Sequence, residues 1–363
     1  MKSKWKSVGK IFGVLVLAVL LIVLLYVAYV VITYKRIPDM QELAVMKPKI
    51  ENSEPVSTGT EYGIVSYNIG FCAYTPSFSF FMDGGKSAVA ESKESVMATL
   101  MGAASYVKDQ LQPDFMLWQE VDLDATRSYH INQYEEIQKY FADYENVFAV
   151  NYDSAFLFYP LLEPHGKSKA GILTESYYPI ESALRRSLPV SDSFSKFLDL
   201  DRCYSISRIP VENGKYLCLI NVHLSAYGNN DEIRQGQINM LCADMKKEYD
   251  AGNYVICGGD FNHDLKALSD DTEGRLSWAY PFPREKLPEG FSFCIDHFAE
   301  TEKNTMHNSA RNANEPYNPE TTYTVTLDGF IISDNIECVS YENMDLQYLY
   351  SDHDPVYMRF VLK

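Results

Sequence analysis

The chain has 363 residues, 46% of them hydrophobic, and carries 49 acidic against 32 basic residues for a formal charge of −17. No internal repeat, low-complexity tract or second composition regime divides it, which excludes a repeat array and fits a single large domain behind the N-terminal segment. All 49 acidic residues follow Arg36 and six basic ones do not, so the remainder sets 26 positive against 49 negative charges, −23, and repels polyanions unless a local basic patch intervenes.

Lys2, Lys4, Lys6 and Lys10 precede an apolar run from Ile11 to Ile32, broken only by Gly13 and softened by Tyr26 and Tyr29. The run is long enough to cross a bilayer and lacks the short core and small-residue cleavage site of a signal peptide, so a retained anchor is expected. Four lysines in front against Lys35 and Arg36 behind favour a cytoplasmic N-terminus. The expected order is a basic cytoplasmic tail over residues 1–10, a transmembrane anchor in the lipid bilayer over 11–34, a linker over 35–59 punctuated by Pro38, Pro48 and Pro55, and a catalytic domain over 60–363. The chain is thus expected in the cell membrane, single-pass, with its domain extracytoplasmic; no obligate protein partner is inferred.

Ile64-Val65-Ser66-Tyr67-Asn68 reads as a first strand ending on a polar side chain. The aromatic stretch from Phe71 to Gly85 reads equally as a substrate lip or as a flap packed on the domain. Val96, Leu100, Ala103, Val107 and Leu111 recur at helical spacing up to Pro113, and Phe115-Met116-Leu117-Trp118-Gln119-Glu120 follows as a strand delivering Glu120. Arg127, Ser128 and His130 are candidates for phosphate contact or for plain loop packing. Lys169–Thr174 reads as a further strand; Lys167, Lys169, Arg185 and Arg186 are either a basic patch or ordinary solvated charges. Residues 201–223 read as a hairpin through Asn213-Gly214 that ends on His223, and residues 231–249 as an amphipathic helix stopped near Gly252.

Asn253-Tyr254-Val255-Ile256-Cys257 then reads as a buried strand emptying into Gly258-Gly259-Asp260-Phe261-Asn262-His263-Asp264. Residues 265–323 are too long for a connector and read as an insertion that helps select the substrate. Its Asp296-His297 pair competes with Ser351-Asp352-His353-Asp354-Pro355 for a catalytic role but has no strand after it. Hard oxygen donors at strand ends beside an imidazole are the set for a Mg²⁺-assisted attack of water on phosphorus. Asp328 and His353 each lie beside an apolar run, so two neighbouring strands can bring that carboxylate to one ring nitrogen. The seven cysteines form no CxxC or Cys/His spacing, which excludes a disulfide framework and a zinc site.

The ordered series SYN, WQE, NVHLS, GGDFN, LDGFII and SDHDPV over residues 60–363 resembles the endonuclease/exonuclease/phosphatase superfamily, as a membrane-anchored, bacterial-type member close to its deoxyribonuclease I-like and neutral sphingomyelinase-like branches. The resemblance implies a four-layer α/β/β/α sandwich behind one N-terminal transmembrane helix. It implies that Asn68, Glu120 and Asp352 hold Mg²⁺ directly or through water, with Mn²⁺ as substitute, and that Asp260 and Asn262 orient water and phosphate. His223 would stabilise phosphoryl charge, and His353, held by Asp328, would be the acid/base. Asp122 departs from the pattern, because nucleases of the family often carry Arg two residues after the Glu. With the acidic surface, this favours a phosphate ester of a lipid or small molecule over nucleic acid. An extracellular endonuclease or exonuclease and a non-catalytic anchored binding module are the alternatives.

Overall fold

The computed structural model describes residues 2–33, 36–49, 52–190, 200–225, 231–267 and 279–363. Helix Lys2–Thr33 comes first, and its Val8–Thr33 portion, with mean hydropathy 3.2, is long and apolar enough to cross a membrane. Among the described residues the strands build two seven-stranded mixed sheets and a two-stranded ribbon. One sheet runs, edge to edge, Gln41–Glu42, Ser182–Ser187, Cys203–Pro210, Tyr216–His223, Tyr254–Asp260, Asp328–Ser333 and Phe291–Phe293. The other runs Ile336–Asn343, Val356–Leu362, Glu61–Asn68, Phe115–Ala125, Ser168–Ser176, Glu145–Asp153 and Val45–Met46.

The sheets pack face to face because each strand carries apolar residues to a shared interior, where Ile64, Leu117 and Phe360 of one sheet meet Ile206, Ile220 and Phe330 of the other. Helix Asp231–Asp250 covers the outer face of the first sheet with Ile238, Leu241 and Met245. Helix Lys93–Tyr106, capped by Ser92, covers the second with Val96, Leu100 and Ala103 against Tyr67 and Trp118. This is the α/β/β/α sandwich expected from the sequence.

A buried polar seam also joins the sheets: Gln119 Nε2 donates to Asn221 Oδ1 at 2.8 Å, and Asn221 Nδ2 donates to the Leu173 and Trp118 carbonyls. Each of these groups would be costly to bury alone, so the seam fixes how the two sets of strand ends face each other.

Two expectations are corrected. Residues 35–59 are more than a linker, since Gln41–Glu42 pairs with Ser182–Ser187 and Val45–Met46 pairs with Glu145–Asp153, adding an edge strand to each sheet. Leu43 and Val45 pack on the core, Arg185 donates to the Pro38 carbonyl, and Lys47 meets Glu145 at 2.6 Å. The two arginines of the basic cluster fit neither the patch nor the solvated-charge reading. Arg185 is fully buried in backbone carbonyls, and Arg186 is paired with Asp39 and Asp244.

Candidate active site

Strand register assembles the centre of the site. Asp260 stands opposite His223 on one side and opposite Asp328 on the other, so three side chains share one row at the end of the first sheet. Gly259 makes this possible with φ +146°, where a Cβ would lie 1.9 Å from the Val222 carbonyl oxygen. From the second sheet, Asn68 pairs with Gln119, and the chain then bulges between Trp118 and Val121 with Glu120 at φ +57°. That local distortion turns the Glu120 carboxylate toward the first sheet.

The eight side chains expected from the sequence converge. Asn68 Nδ2 donates to Glu120 Oε1 at 3.3 Å and to Asp260 Oδ2 at 3.1 Å. His223 Nε2 lies 3.6 Å from Asp260 Oδ2 and 3.9 Å from Glu120 Oε1. His353 Nδ1 is 2.7 Å from Asp328 Oδ2, and its Nε2 is 3.9 Å from Asp260 Oδ2. Asp260 Oδ1 is pinned by the Asn262 backbone N–H at 2.8 Å, while Asn262, at φ +50°, donates one amide hydrogen to the Leu224 carbonyl. Asp352 follows Ser351, whose hydroxyl donates to the Asn68 carbonyl and so ties this loop to the first strand of the domain. Asp352, Glu120, Asp260, Asn262, His223 and His353 all face a single cavity of about 500 Å³.

Asn68 is presented differently from expectation. Its Oδ1 accepts from the Gly70 N–H at 3.0 Å and its amide N–H₂ faces the carboxylates, so in this orientation it spaces Glu120 and Asp260 rather than offering an oxygen to a cation.

The electrostatics separate the two histidines. Burial, with Arg202 and His353 adding to it, holds His223 well below the usual imidazole range, so it is neutral. Burial opposes charge on His353 too, but Asp328, Asp352 and Asp260 outweigh it and raise the ring well above its ordinary value. The carboxylates are also shifted upward, which for them disfavours the charged form. Burial and then Asp352 raise Glu120, and burial and then Asp328 raise Asp260. Oxygen donors of Glu120, Asp260 and Asp352 crowded until Glu120 and Asp260 resist ionisation fit a hard divalent cation, whose charge would reverse both shifts.

Two other acidic groupings have different uses. Asp328, Asp260 and His353 lie within 4.8 Å of one another, but the ring nitrogen facing Asp328 is committed to its hydrogen bond. Asp354 accepts from the Leu346 and Tyr348 backbone and from His307. Among the competing residues, Asp296 is held by Arg284 and Lys303, and His297 meets Ser292. Asp122 is buried against Arg127 at 2.8 Å and Ser128 at 2.7 Å, and His130 pairs with Asp124 on the surface. Arg127 in turn lies 3.8 Å from the centre of the Phe71 ring and lines the cavity.

Sequence reading missed three residues. Ser309, from the 265–323 insertion, donates to Asp328 Oδ2 at 2.8 Å and accepts from the Leu327 and Asp328 backbone, which fixes the carboxylate on His353. Arg202 and Arg311 add buried cationic walls to the cavity. Arg202 precedes a strand and could have been found as a charge at a strand start; Ser309 sits in irregular chain and Arg311 in the two-residue strand Ala310–Arg311, neither with a local signal.

No family model matches the sequence, and no curated protein matches it. Solved structures do. An endonuclease/exonuclease/phosphatase protein from Beutenbergia cavernae superposes with TM-score 0.56 at 15% identity, over 83% of this chain and 72% of that one. One from Bacteroides vulgatus gives 0.53 at 14% identity over 84% and 100%. TDP2 from D. rerio, in a complex with a single-strand DNA product, gives 0.52 at 16% identity over 83% and 99%. The chain has the endonuclease/exonuclease/phosphatase fold. Within that fold, its cavity lies at the strand ends where the two sheets meet.

Proposed function

We propose that this protein is a divalent-cation-dependent phosphoesterase, anchored by its N-terminal helix with the domain outside the cytoplasm, acting on a phosphodiester or phosphomonoester of a lipid or small molecule. One observation carries the reading: His353, held by Asp328, faces the same cavity as the crowded carboxylates Glu120, Asp260 and Asp352. Glu120 and Asp352 would hold Mg²⁺, or Mn²⁺ in its place, with Asp260 beside them. Bound there, the cation supplies Lewis-acid polarisation of a phosphoryl oxygen.

The chain's own groups supply the rest. Asp260, fixed through Oδ1 by Asn262, presents Oδ2 to orient an attacking water. Asn262 has a second amide hydrogen for a phosphate oxygen. Arg202 and Arg311 counter phosphate charge, and neutral His223 donates a hydrogen bond without adding to that charge. His353, oriented by Asp328, stabilises the developing negative charge and passes its proton to the leaving oxygen. Six of the eight expected polar groups line one cavity, and Asn68 and Asp328 bond to members of that set, which argues against a binding module without catalysis.

A nuclease is the second reading, since a fold neighbour is seen with a DNA product. The −23 charge after Arg36 and the engaged Arg185 and Arg186 weigh against it. The test is hydrolysis by the purified full chain of bis(p-nitrophenyl) phosphate, DNA, sphingomyelin, lysophospholipid and sugar phosphates, with Mg²⁺ and with chelator. Chelator-sensitive hydrolysis of a lipid or small-molecule ester is expected; DNA as the preferred substrate would favour the second reading, and inertness toward every substrate would overturn both.

A further inference from the structure

Residues 156–162, Phe-Leu-Phe-Tyr-Pro-Leu-Leu, form an irregular loop in which Leu157 is buried but most of the other apolar side chains are turned outward: Leu161 is 83% and Leu162 101% exposed, with Phe158 and Tyr159 also exposed. Such a cluster on a soluble surface is costly and marks a contact with something apolar. The same loop touches the apolar helix. The Tyr26 hydroxyl donates to the Phe156 carbonyl at 3.1 Å, the Phe156 N–H donates to the Tyr29 hydroxyl at 3.3 Å, and the Tyr26 and Phe158 rings meet edge to face at 5.2 Å.

Helix geometry sets the level of that contact. Tyr26 lies seven residues before Thr33, which at 1.5 Å per residue is about 10 Å short of the helix's outward end. With the helix across a bilayer, Phe156 and Phe158 sit at the depth of an interfacial segment, about 5–10 Å into the headgroup and acyl boundary. Tyrosines at this level are the side chains such a boundary favours.

The loop also leads to the cavity. The Tyr159 ring is 5.8 Å from Phe81, and Phe81 is 6.0 Å from His165, a wall of the cavity. Phe80 and half-exposed Met82 continue that wall from the aromatic stretch after the first strand, which serves as an apolar rim and not only as a packed flap.

We propose that Phe156–Leu162 enters the lipid leaflet beside the anchor helix and holds the cavity mouth on the bilayer surface, so that the phosphate ester it takes is that of a membrane lipid. The occupant of the exposed loop is the bilayer, because loop and membrane-crossing helix form one continuous apolar surface. The substrate half rests on the phosphoesterase reading; the insertion half does not.

The full chain, with Cys338→Ser, is reconstituted in phosphatidylcholine vesicles carrying an environment-sensitive fluorophore at Leu162→Cys or, as reference, at Lys247→Cys, exposed near the end of helix Asp231–Asp250 where the chain enters strand Tyr254–Asp260, at the opposite end of that strand from Asp260. The label at 162 is expected to be quenched at least threefold less by aqueous iodide and to be quenched by nitroxide lipids. Equal iodide access at both positions overturns insertion. In vesicles of phosphatidylcholine, phosphatidylglycerol and sphingomyelin, the Leu161→Asp/Leu162→Asp double variant should lose at least tenfold in lipid hydrolysis and stay within twofold on bis(p-nitrophenyl) phosphate. Loss on both substrates alike, loss on neither, or a wild type that cleaves only the soluble ester overturns the lipid assignment. A wild type that cleaves nothing overturns the phosphoesterase reading, and the quenching still decides the loop.

Discussion

Asp328 holds the His353 ring at 2.7 Å, and Ser309 holds Asp328 in turn. A carboxylate so placed fixes the tautomer and keeps the ring charged, so the two residues should act as a unit. His353→Ala and Asp328→Asn are each expected to lower turnover about 10²–10⁴-fold, and the double variant to lose little more than the worse single one. Losses that multiply would show that the residues act independently, and a folded Asp328→Asn enzyme with near-normal turnover would leave His353 without its orienting partner. His165 offers a stability readout. Burial, helped by Arg127, pushes its imidazole down to about 3. The unfolded chain therefore takes up its proton first as pH falls, and the stability present above about pH 6.5 should be lost toward pH 3, by at most about 1.4 kcal/mol per pH unit. Urea midpoints across this window should fall less steeply for His165→Gln; identical slopes would place the acid sensitivity elsewhere. The site residues that were legible in the sequence, from Asn68 to His353, are those that border a short apolar run at one end or the other. Ser309 and Arg311 were not, because only long-range folding of the insertion brings Ser309 to Asp328 and Arg311 to the cavity.

At the scale of elements, strand existence was readable from β-branched and aromatic runs, and the hairpin from Asn213-Gly214. Backbone distortion was not. Nothing local marks Glu120 for φ +57°, because the bulge is imposed by pairing with Ser168–Ser176 and by the cavity it serves. The edge strands at Gln41–Glu42 and Val45–Met46 were equally hidden. Two-residue strands have no period to read, and they form because Leu43 and Val45 find the core. Gly259 is the most exacting of these points, since a methyl group there meets the Val222 carbonyl of the neighbouring parallel strand. Gly259→Ala should destabilise the protein by about 3 kcal/mol, read as a lowered denaturant midpoint. A midpoint equal to wild type would mean that the two strands separate freely at this position.

At the scale of the whole molecule, the two-sheet architecture followed from the ordered motifs, while the placement of an apolar loop against the N-terminal helix emerged only in three dimensions. Phe156–Leu162 reads in sequence as one more short apolar run; what distinguishes it is outward exposure beside Tyr26. The domain is strongly acidic, and Glu120, Asp260 and Asp352 crowd into one cavity where the sheets' ends meet. The central claim is that this crowding serves a cation used in phosphate ester hydrolysis. Its most direct test is a Mg²⁺ titration of bis(p-nitrophenyl) phosphate hydrolysis by the wild-type chain and by Glu120→Gln, which removes one charge and keeps the side chain's size. The wild type should show saturable Mg²⁺ activation, and the folded variant should need at least about tenfold more Mg²⁺ and turn over more slowly. Superimposable titrations would contradict the account.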